Sequence, residues 1–76
     1  MLLEHFNKIE ETVERWMDIN DEYRVINNHK SQIVFQISCH CNTILELQEE
    51  VDNELPYGVS SELTFQDGEF ELTIIE

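Results

Sequence analysis

The triplet Cys39-His40-Cys41 holds the side chains that most readily bind zinc or act as nucleophiles. A zinc site needs four ligands that converge tetrahedrally, and these are usually supplied as two pairs. Alternation along a strand would place both cysteines on one face and His40 on the other. The remaining histidines, His5 and His29, are isolated in the sequence. We therefore expect no metal and no cofactor here, and interpret the two cysteines as half-buried strand residues.

A second set of candidate ligands, Asp18, Asn20 and Glu22, alternates like the first positions of a calcium-binding EF-hand loop. That loop needs glycine at its sixth position and glutamate at its twelfth. This chain has Tyr23 and His29 there, so the pattern fails. The sequence also contains no glycine-rich phosphate loop, no nucleophile elbow and no credible Ser/His/Asp set. We expect no enzymatic activity.

Carboxylates recur in regular rows, and closely spaced carboxylates can satisfy the same cations that phosphates do. One row has i, i+4, i+8 spacing within residues 46–54, a second has the same spacing within residues 10–18, and two acids alternate in residues 69–71. Unpaired like charges at i, i+4 each cost a few tenths of a kcal/mol, so retaining them suggests a use. The predicted partner-binding residues are Glu46, Glu49, Glu50, Glu54, Glu69, Glu71, Glu10, Glu14 and Asp18, with Glu62 expected across from the alternating pair.

Charge is distributed unevenly along the chain. Residues 1–30 hold seven acids against four bases, whereas residues 31–76 hold ten acids and no base. The net charge of −13 therefore divides as −3 and −10. Such a field attracts basic protein surfaces. Four bases cannot neutralise a nucleic-acid backbone against seventeen acids, so we expect neither direct nucleic-acid binding nor membrane binding.

The length and composition predict one small acidic domain covering residues 1–76. A chain this short buries only ~60% of its unfolded surface, so its core is thin. Hydrophobic residues make up 41% of the chain and recur at regular spacing, which excludes disorder as the main state. Two cysteines two positions apart fit a reducing cytosol. Glu4 follows Met1-Leu2-Leu3 at once, which is unlike a signal peptide, so we expect a cytoplasmic protein.

The spacing of apolar residues predicts two amphipathic helices. The second begins at a capping box, with Thr43 as N-cap and Glu46 at the third helical position, and stops before Pro56. The first covers about residues 2–19. The apolar stripes are Leu2, Phe6, Ile9, Val13 and Trp16 in the first helix, and Ile44, Leu47 and Val51 in the second.

Four strands are predicted in two hairpins. A short strand over residues 23–26 leads into a turn at Asn27-Asn28-His29-Lys30, and the next strand alternates cleanly from Ile33 to Cys41. Asp67-Gly68 is a strong two-residue hairpin signal between strands at residues 61–66 and 69–75. Leu63, Phe65, Phe70, Leu72 and Ile74 are the residues expected to face the core from this hairpin.

The resulting order, αββαββ, predicts an α+β fold in which both helices pack on one face of a four-stranded antiparallel sheet. Some apolar residues fall off the predicted core faces and could form a second apolar patch. A homodimer is the simplest use of such a patch. These residues are Val34, Leu45, Ile26 and Ile75.

In size, acidity and rows such as Glu46-Glu49-Glu50-Glu54, the chain resembles the small acidic DNA-mimic proteins, mostly encoded by phages and mobile elements. This resemblance implies a protein that occupies the DNA-binding surface of a basic host protein and inhibits it during host takeover. Known targets of the class include restriction enzymes, CRISPR effectors, RNA polymerase and the nucleoid protein HU. The class has no common fold, and it supplies no diagnostic motif to align.

Two other interpretations remain open at the level of the sequence. The chain could be a small protein–protein interaction module that binds through an apolar patch or a sheet edge, with acidity serving solubility. It could also belong to a specialised environment, since the surfaces of halophile proteins are acidic as well.

Overall fold

The computed structural model describes residues 2–29 and 31–76. It confirms the predicted α+β class and the order αββαββ. A 3₁₀ turn at Leu2–His5 leads directly into the first helix. The elements are α1 (Phe6–Trp16), β1 (Glu22–His29), β2 (Gln32–Ser38), α2 (Cys41–Glu54), β3 (Ser60–Gln66) and β4 (Glu69–Ile75).

The four strands form one antiparallel sheet in the order β1-β2-β4-β3. The two hairpins therefore lie side by side, with β2 and β4 in the centre and β1 and β3 at the edges. Phe35 pairs with Leu72 in the middle of the central pair of strands. Phe6 stacks on Phe35 with ring centroids 6.1 Å apart, and Tyr23 covers the same ring from β1 at 6.2 Å.

The core lies between the sheet and both helices. Its fully buried members come from α1, β2, α2 and β4, which confirms most of the two predicted stripes. Burial of each such side chain contributes about 1.5–3 kcal/mol, whereas helices this short are marginal alone. The side chain of Leu2 lies outside the described part of the structure. The core residues are Ile9, Val13, Ile33, Phe35, Ile37, Ile44, Leu47, Val51, Leu72 and Ile74.

The first helix ends at Trp16, earlier than the predicted end near residue 19. Two carboxylates accept hydrogen bonds from backbone N–H groups there. The N–H of Asp18 donates to the Asp21 carboxylate at 2.9 Å, and the N–H of Ile19 donates to the Asp18 carboxylate at 2.9 Å. These side-chain acceptors offer the backbone an alternative to helical hydrogen bonds and form a turn into β1.

The predicted capping box at the start of α2 is wrong. The helix begins at Cys41, because the N–H of Ile44 donates to the carbonyl of His40 at 3.1 Å, and no side chain caps it. The predicted end is confirmed, since Leu55 is extended before Pro56. The early start also corrects the strand prediction. β2 stops at Ser38, and the cysteines lie in the connection and at the first helical residue.

The two hairpins differ in how well their turns were predicted. Asp67 and Gly68 both have positive φ, 54° and 80°, as a two-residue turn of this kind requires. In the first hairpin, Asn27–His29 were predicted as a turn but continue the strand β1. Lys30 lies outside the described residues. A bulge between Val25 and Asn27 shifts the register there.

The segments α1-β1-β2 and α2-β3-β4 have the same order of elements, and we call them the two αββ units. They meet where β2 pairs antiparallel with β4, around the Phe35–Leu72 pair. Ile9 and Leu47 are equivalent core residues 38 positions apart, whereas Phe35 and Leu72 are 37 apart. The extra residue of the β1 bulge accounts for this change of offset.

Candidate partner-binding surfaces

The predicted acidic row on α2 does not stay together in the fold. Glu46 and Glu49 are exposed on the outer side of the helix, and Glu50 is half-buried. Glu54 turns toward α1, where the Arg15 guanidinium lies 3.3 Å from its carboxylate. Its side chain is only 17% exposed. This residue is therefore committed to the packing of the two helices.

A buried threonine completes this contact between the helices. Thr12 has no exposed surface, and its hydroxyl donates to the Glu54 carboxylate. Arg15 donates to the hydroxyl oxygen of Thr12 at 3.0 Å. Burying a polar side chain is costly unless it is hydrogen-bonded. We call Thr12, Arg15 and Glu54 the interhelical lock.

The predicted row on α1 is also engaged within the fold. The phenol of Tyr23, on β1, donates to Glu14 at 2.6 Å and lies 3.1 Å from the Glu10 carboxylate. A single hydroxyl proton serves both acceptors by turns. Burial and these hydrogen bonds raise the pKa of Tyr23 well above its usual value. Asp18 belongs to the turn after α1, so this row does not form a free acidic surface.

The acids of the second hairpin lie on the face of the sheet opposite the helices. Register places Glu71 between Gln36 on β2 and Thr64 on β3, and Glu69 opposite Gln66. Glu62 is on the same face, in the neighbouring row opposite Thr73. We call this the open face. It lies on the other side of the molecule from α2, so the two predicted acidic surfaces are separate.

Among the described residues, one base joins the acids on the open face. Arg24 pairs with Gln36 across β1 and β2, and its Nε donates to the Gln36 side-chain oxygen at 2.6 Å. A shallow depression at this end of the sheet is lined by residues that include Glu22, Arg24 and Glu69. Charge on the open face is therefore mixed, unlike the outer side of α2.

The open face also contains two residues of the predicted second apolar patch, Val34 and Ile75. Val34 is 8% exposed there, whereas Ile26, which is 49% exposed, lies in the β1 bulge and has no register partner. Ile75 is half-buried and lies diagonally across from Val34 on the next strand. Leu45, by contrast, is on α2 in the other layer and 61% exposed. The structure thus places Val34 and Ile75 next to each other and separates Leu45 from them.

The two cysteines are free thiols. Burial, followed by the nearby Asp21 carboxylate, raises the pKa of Cys39 to about 11. Its thiol is therefore protonated at neutral pH, and a protonated thiol is a poor nucleophile and a poor metal ligand. Within residues 2–29 and 31–76, no group of three or more His, Cys, Asp and Glu side chains is arranged to hold a metal ion.

What remains as a continuous acidic surface is the outer side of α2. It is formed by Glu46, Glu49 and Glu50, none of which has an ion-pair partner among the described residues. Asp52 is engaged instead at the edge of α2 beside β3, where it accepts the Ser61 hydroxyl. We call Glu46, Glu49 and Glu50 the α2 acidic row.

Comparison with protein-family models, curated proteins and solved structures finds no match to this chain. In the described part of the chain, no helix combines the length and apolar character needed to cross a membrane. Function is therefore inferred from the surfaces themselves.

Proposed function

We propose that this protein is an acidic decoy of nucleic acid. It binds a basic DNA-binding protein and inhibits it by occupying the DNA-binding surface, as phage-encoded DNA mimics do in host takeover. The α2 acidic row is the observation that carries the proposal. Its carboxylates are free of the internal contacts that engage Glu54, Glu10 and Glu14. We place its action in the cytoplasm, where two free thiols stay reduced.

The charge density of the row is close to that of a DNA strand. Residues 46–50 span about 6 Å of helix at a rise of ~1.5 Å per residue. Three carboxylates over that length give about one charge per 3 Å, against ~3.4 Å per phosphate along one strand of B-DNA. A cationic groove that contacts successive phosphates can therefore meet successive carboxylates of α2.

Local electrostatics favour α2 over the other acidic surfaces. Residues 31–76 contain no lysine or arginine, so no base from the same half of the chain competes for the row. Arg15 of α1 is occupied by Glu54. On the open face, Arg24 lies among the acids and lowers the local negative potential. Complementary charge speeds association and sets the choice of partner.

The test begins with the immobilised protein, a bacterial lysate and elution by a salt gradient, which identifies the basic partner. The purified partner then binds a fluorescent DNA duplex, and displacement of the duplex by this protein is followed by anisotropy. We expect displacement that weakens steeply with salt. Replacing Glu46, Glu49 and Glu50 together by Gln should weaken it at least about tenfold, or ~1.4 kcal/mol.

A matched control is available on the opposite layer. Replacing Glu62, Glu69 and Glu71 by Gln removes the same charge but leaves α2 intact, so displacement should change much less. Equal losses in both triple variants would mean that net charge, not the α2 acidic row, drives binding. Tight binding that persists in half-molar salt, or a partner that still binds its duplex, would contradict the decoy function.

A second candidate function is favoured by the apolar neighbours Val34 and Ile75 on the open face. The protein would then be an interaction module that binds through Ile26, Val34 and Ile75, and its acidity would serve solubility. In that case Ile26→Ser and Ile75→Ser should abolish capture of the partner, while the triple Gln change on α2 should be nearly neutral. Capturing the same partner with both sets of variants separates the two functions.

A further inference from the structure

The two edges of the sheet are protected to different degrees. On β1, a bulge between Val25 and Asn27 interrupts the register, and bulges of this kind discourage pairing with another strand. On β3, all seven residues from Ser60 to Gln66 pair with β4 in an unbroken register. Of the usual devices that blunt an edge, β3 contains no proline, no lysine and no bulge, and its only charged residue is Glu62.

The outer side of β3 is also free of backbone partners. β4 is its only neighbour in the sheet, and no other backbone hydrogen bond within the described ranges involves residues 60–66. Alternate residues of such an edge present N–H and C=O groups to solvent. These groups form a template for one further strand.

On the helix side, the edge is lined by apolar side chains. Phe65 is 64% exposed and packs against Phe70 with ring centroids 4.9 Å apart. Leu63 is half-buried next to it on the same face. Ser61 and Asp52 are the polar exceptions: Gln48 of α2 donates to the Ser61 hydroxyl at 3.2 Å, and Ser61 donates to Asp52, which fixes α2 alongside β3. Leu45, one turn earlier on α2, is 61% exposed. A strand added here would cover these apolar groups with every second side chain.

On the open face, the same edge is acidic. Glu62 is exposed on β3, and Glu71 follows on β4. The other side chains of an added strand would point to this face, where lysine or arginine is favoured. A second copy of this chain is a poor occupant, because the two-fold axis of antiparallel pairing would bring two acidic α2 helices together. Both copies would also have a net charge of −13.

We propose that the outer edge of β3 is a docking edge for an extended segment of a partner protein in which apolar and basic residues alternate. The segment adds to the sheet as a fifth strand. Its backbone pairs with residues 60–66, its apolar side chains cover Phe65, Leu63 and Leu45, and its basic side chains meet Glu62. This interaction goes beyond the decoy function, because it uses a different surface and depends on backbone hydrogen bonds.

The experiment uses the intact protein and a synthetic capped peptide of alternating lysine and valine. Two further peptides have the same sequence but are N-methylated at alternate residues, one on the lysines and one on the valines. Only one of these sets of methyl groups faces β3 in a given pairing. We expect one methylated peptide to bind like the parent and the other to bind at least about tenfold more weakly, ~1.4 kcal/mol, by titration calorimetry.

Hydrogen exchange locates the site, and variants test the side chains. Peptide binding should slow amide exchange in residues 60–66 and not in β1, and Phe65→Ser should weaken binding several-fold. The Gln triple variant of Glu46, Glu49 and Glu50 should retain the difference between the methylated peptides, even if it loses the decoy function. Equal binding of both methylated peptides, or protection confined to α2, would overturn the proposal, because either shows attraction by charge alone.

Discussion

The two αββ units have the same architecture but different surfaces. In the first unit, three side chains form hydrogen bonds or an ion pair with polar groups of the fold: Arg15, Arg24 and Tyr23. A bulge also interrupts the edge strand of this unit. In the second unit there is no base, the edge strand is regular, and the acids on the outer side of α2 are without ion-pair partners among the described residues. The core residues of the two units are nevertheless equivalent in position.

This difference separates what stabilises the fold from what is available to bind. The interhelical lock and the Tyr23 contacts use carboxylates as structural acceptors, and all of these contacts involve the first unit. The second unit contributes core residues and keeps most of its charge on the surface. Binding is therefore expected to concentrate on the second unit, through α2 and the edge of β3.

The largest expected effect comes from substitutions in the hydrophobic core, to which both units contribute. Phe35→Ala should cost ~3–5 kcal/mol and Leu72→Ala ~2–5 kcal/mol, since each leaves a cavity at the centre of the sheet. Either loss is comparable to the whole stability of a small domain, about 5 kcal/mol at the low end of the usual range. Phe65→Ala is the control, because this ring is 64% exposed. Urea unfolding followed by circular dichroism gives the values, and a similar loss in all three variants would contradict the assignment of the core.

The next effect tests the contact between the units. Glu54→Ala removes the charged acceptor of the Thr12 hydroxyl and the ion-pair partner of Arg15. Thr12 keeps the Lys8 carbonyl as an acceptor at 3.2 Å, so the expected cost is that of losing hydrogen bonds to a charged group, ~1–2 kcal/mol. Glu46→Ala changes the same residue type on the exposed side of the same helix, and should stay within about 0.5 kcal/mol. Urea midpoints compare the two. Equal midpoints would show that the interhelical lock contributes little.

A smaller effect depends on pH and tests the first unit alone. The folded-state pKa of Tyr23 is raised, so the unfolded chain loses this proton first as pH rises above ~10. The resulting stability is present below pH ~10 and is lost progressively above it. Tyr23→Phe should lose ~1 kcal/mol at neutral pH from the missing hydrogen bonds. The stability of this variant should also fall less steeply above pH ~10 than that of the wild type.

Tyr57 provides the matched control for that measurement. It is fully exposed in the loop after α2, so Tyr57→Phe should leave both the stability at neutral pH and its alkaline decline unchanged. Melting curves of the three proteins between pH 7 and pH 11 give the comparison. A Tyr23→Phe profile that parallels the wild type at every pH would exclude a role for the contacts with Glu10 and Glu14.

The smallest effect concerns the charge difference between the units. Salt up to a few hundred millimolar should raise the melting temperature by a few degrees, because screening relieves repulsion among the acids. A shift of that size corresponds to less than ~1 kcal/mol for a domain of this length. The Glu62, Glu69 and Glu71 triple Gln variant should show a smaller rise. A melting temperature that falls with salt would mean that the acids are better paired than the structure indicates.

Much of the fold could be predicted because its signals are local. The apolar spacing of Ile9 and Val13, the Asp67-Gly68 turn and the stop before Pro56 each depend on neighbouring residues, and each is confirmed. The predictions were wrong where another interaction in the fold outweighed the local sequence pattern. Thr43 has the right spacing for a cap, but the helix begins earlier, at Cys41. Asparagines at 27 and 28 favour a turn, but pairing with β2 extends the strand through them.

The candidate surfaces were harder to predict, since they depend on which acids are already engaged. Glu54 and Glu50 look alike in the i, i+4 row, yet one is ion-paired with Arg15 and the other is not. Glu10 and Glu14 look like a free row until Tyr23 is placed beside them. These partners lie between 9 and 39 residues apart in the chain, so no local pattern reveals them.

The sequence by itself determined the order of the elements, the apolar faces and the uneven division of charge, because periodicity and composition are properties of the chain. Only the tertiary structure decided that Glu54 is a structural residue, that the acids of α2 and of the last hairpin lie on opposite layers, and that β3 rather than β1 offers an open edge. The physical reason is that a carboxylate or a backbone group is free to bind only when nothing else in the fold reaches it. That condition depends on contacts between distant parts of the chain.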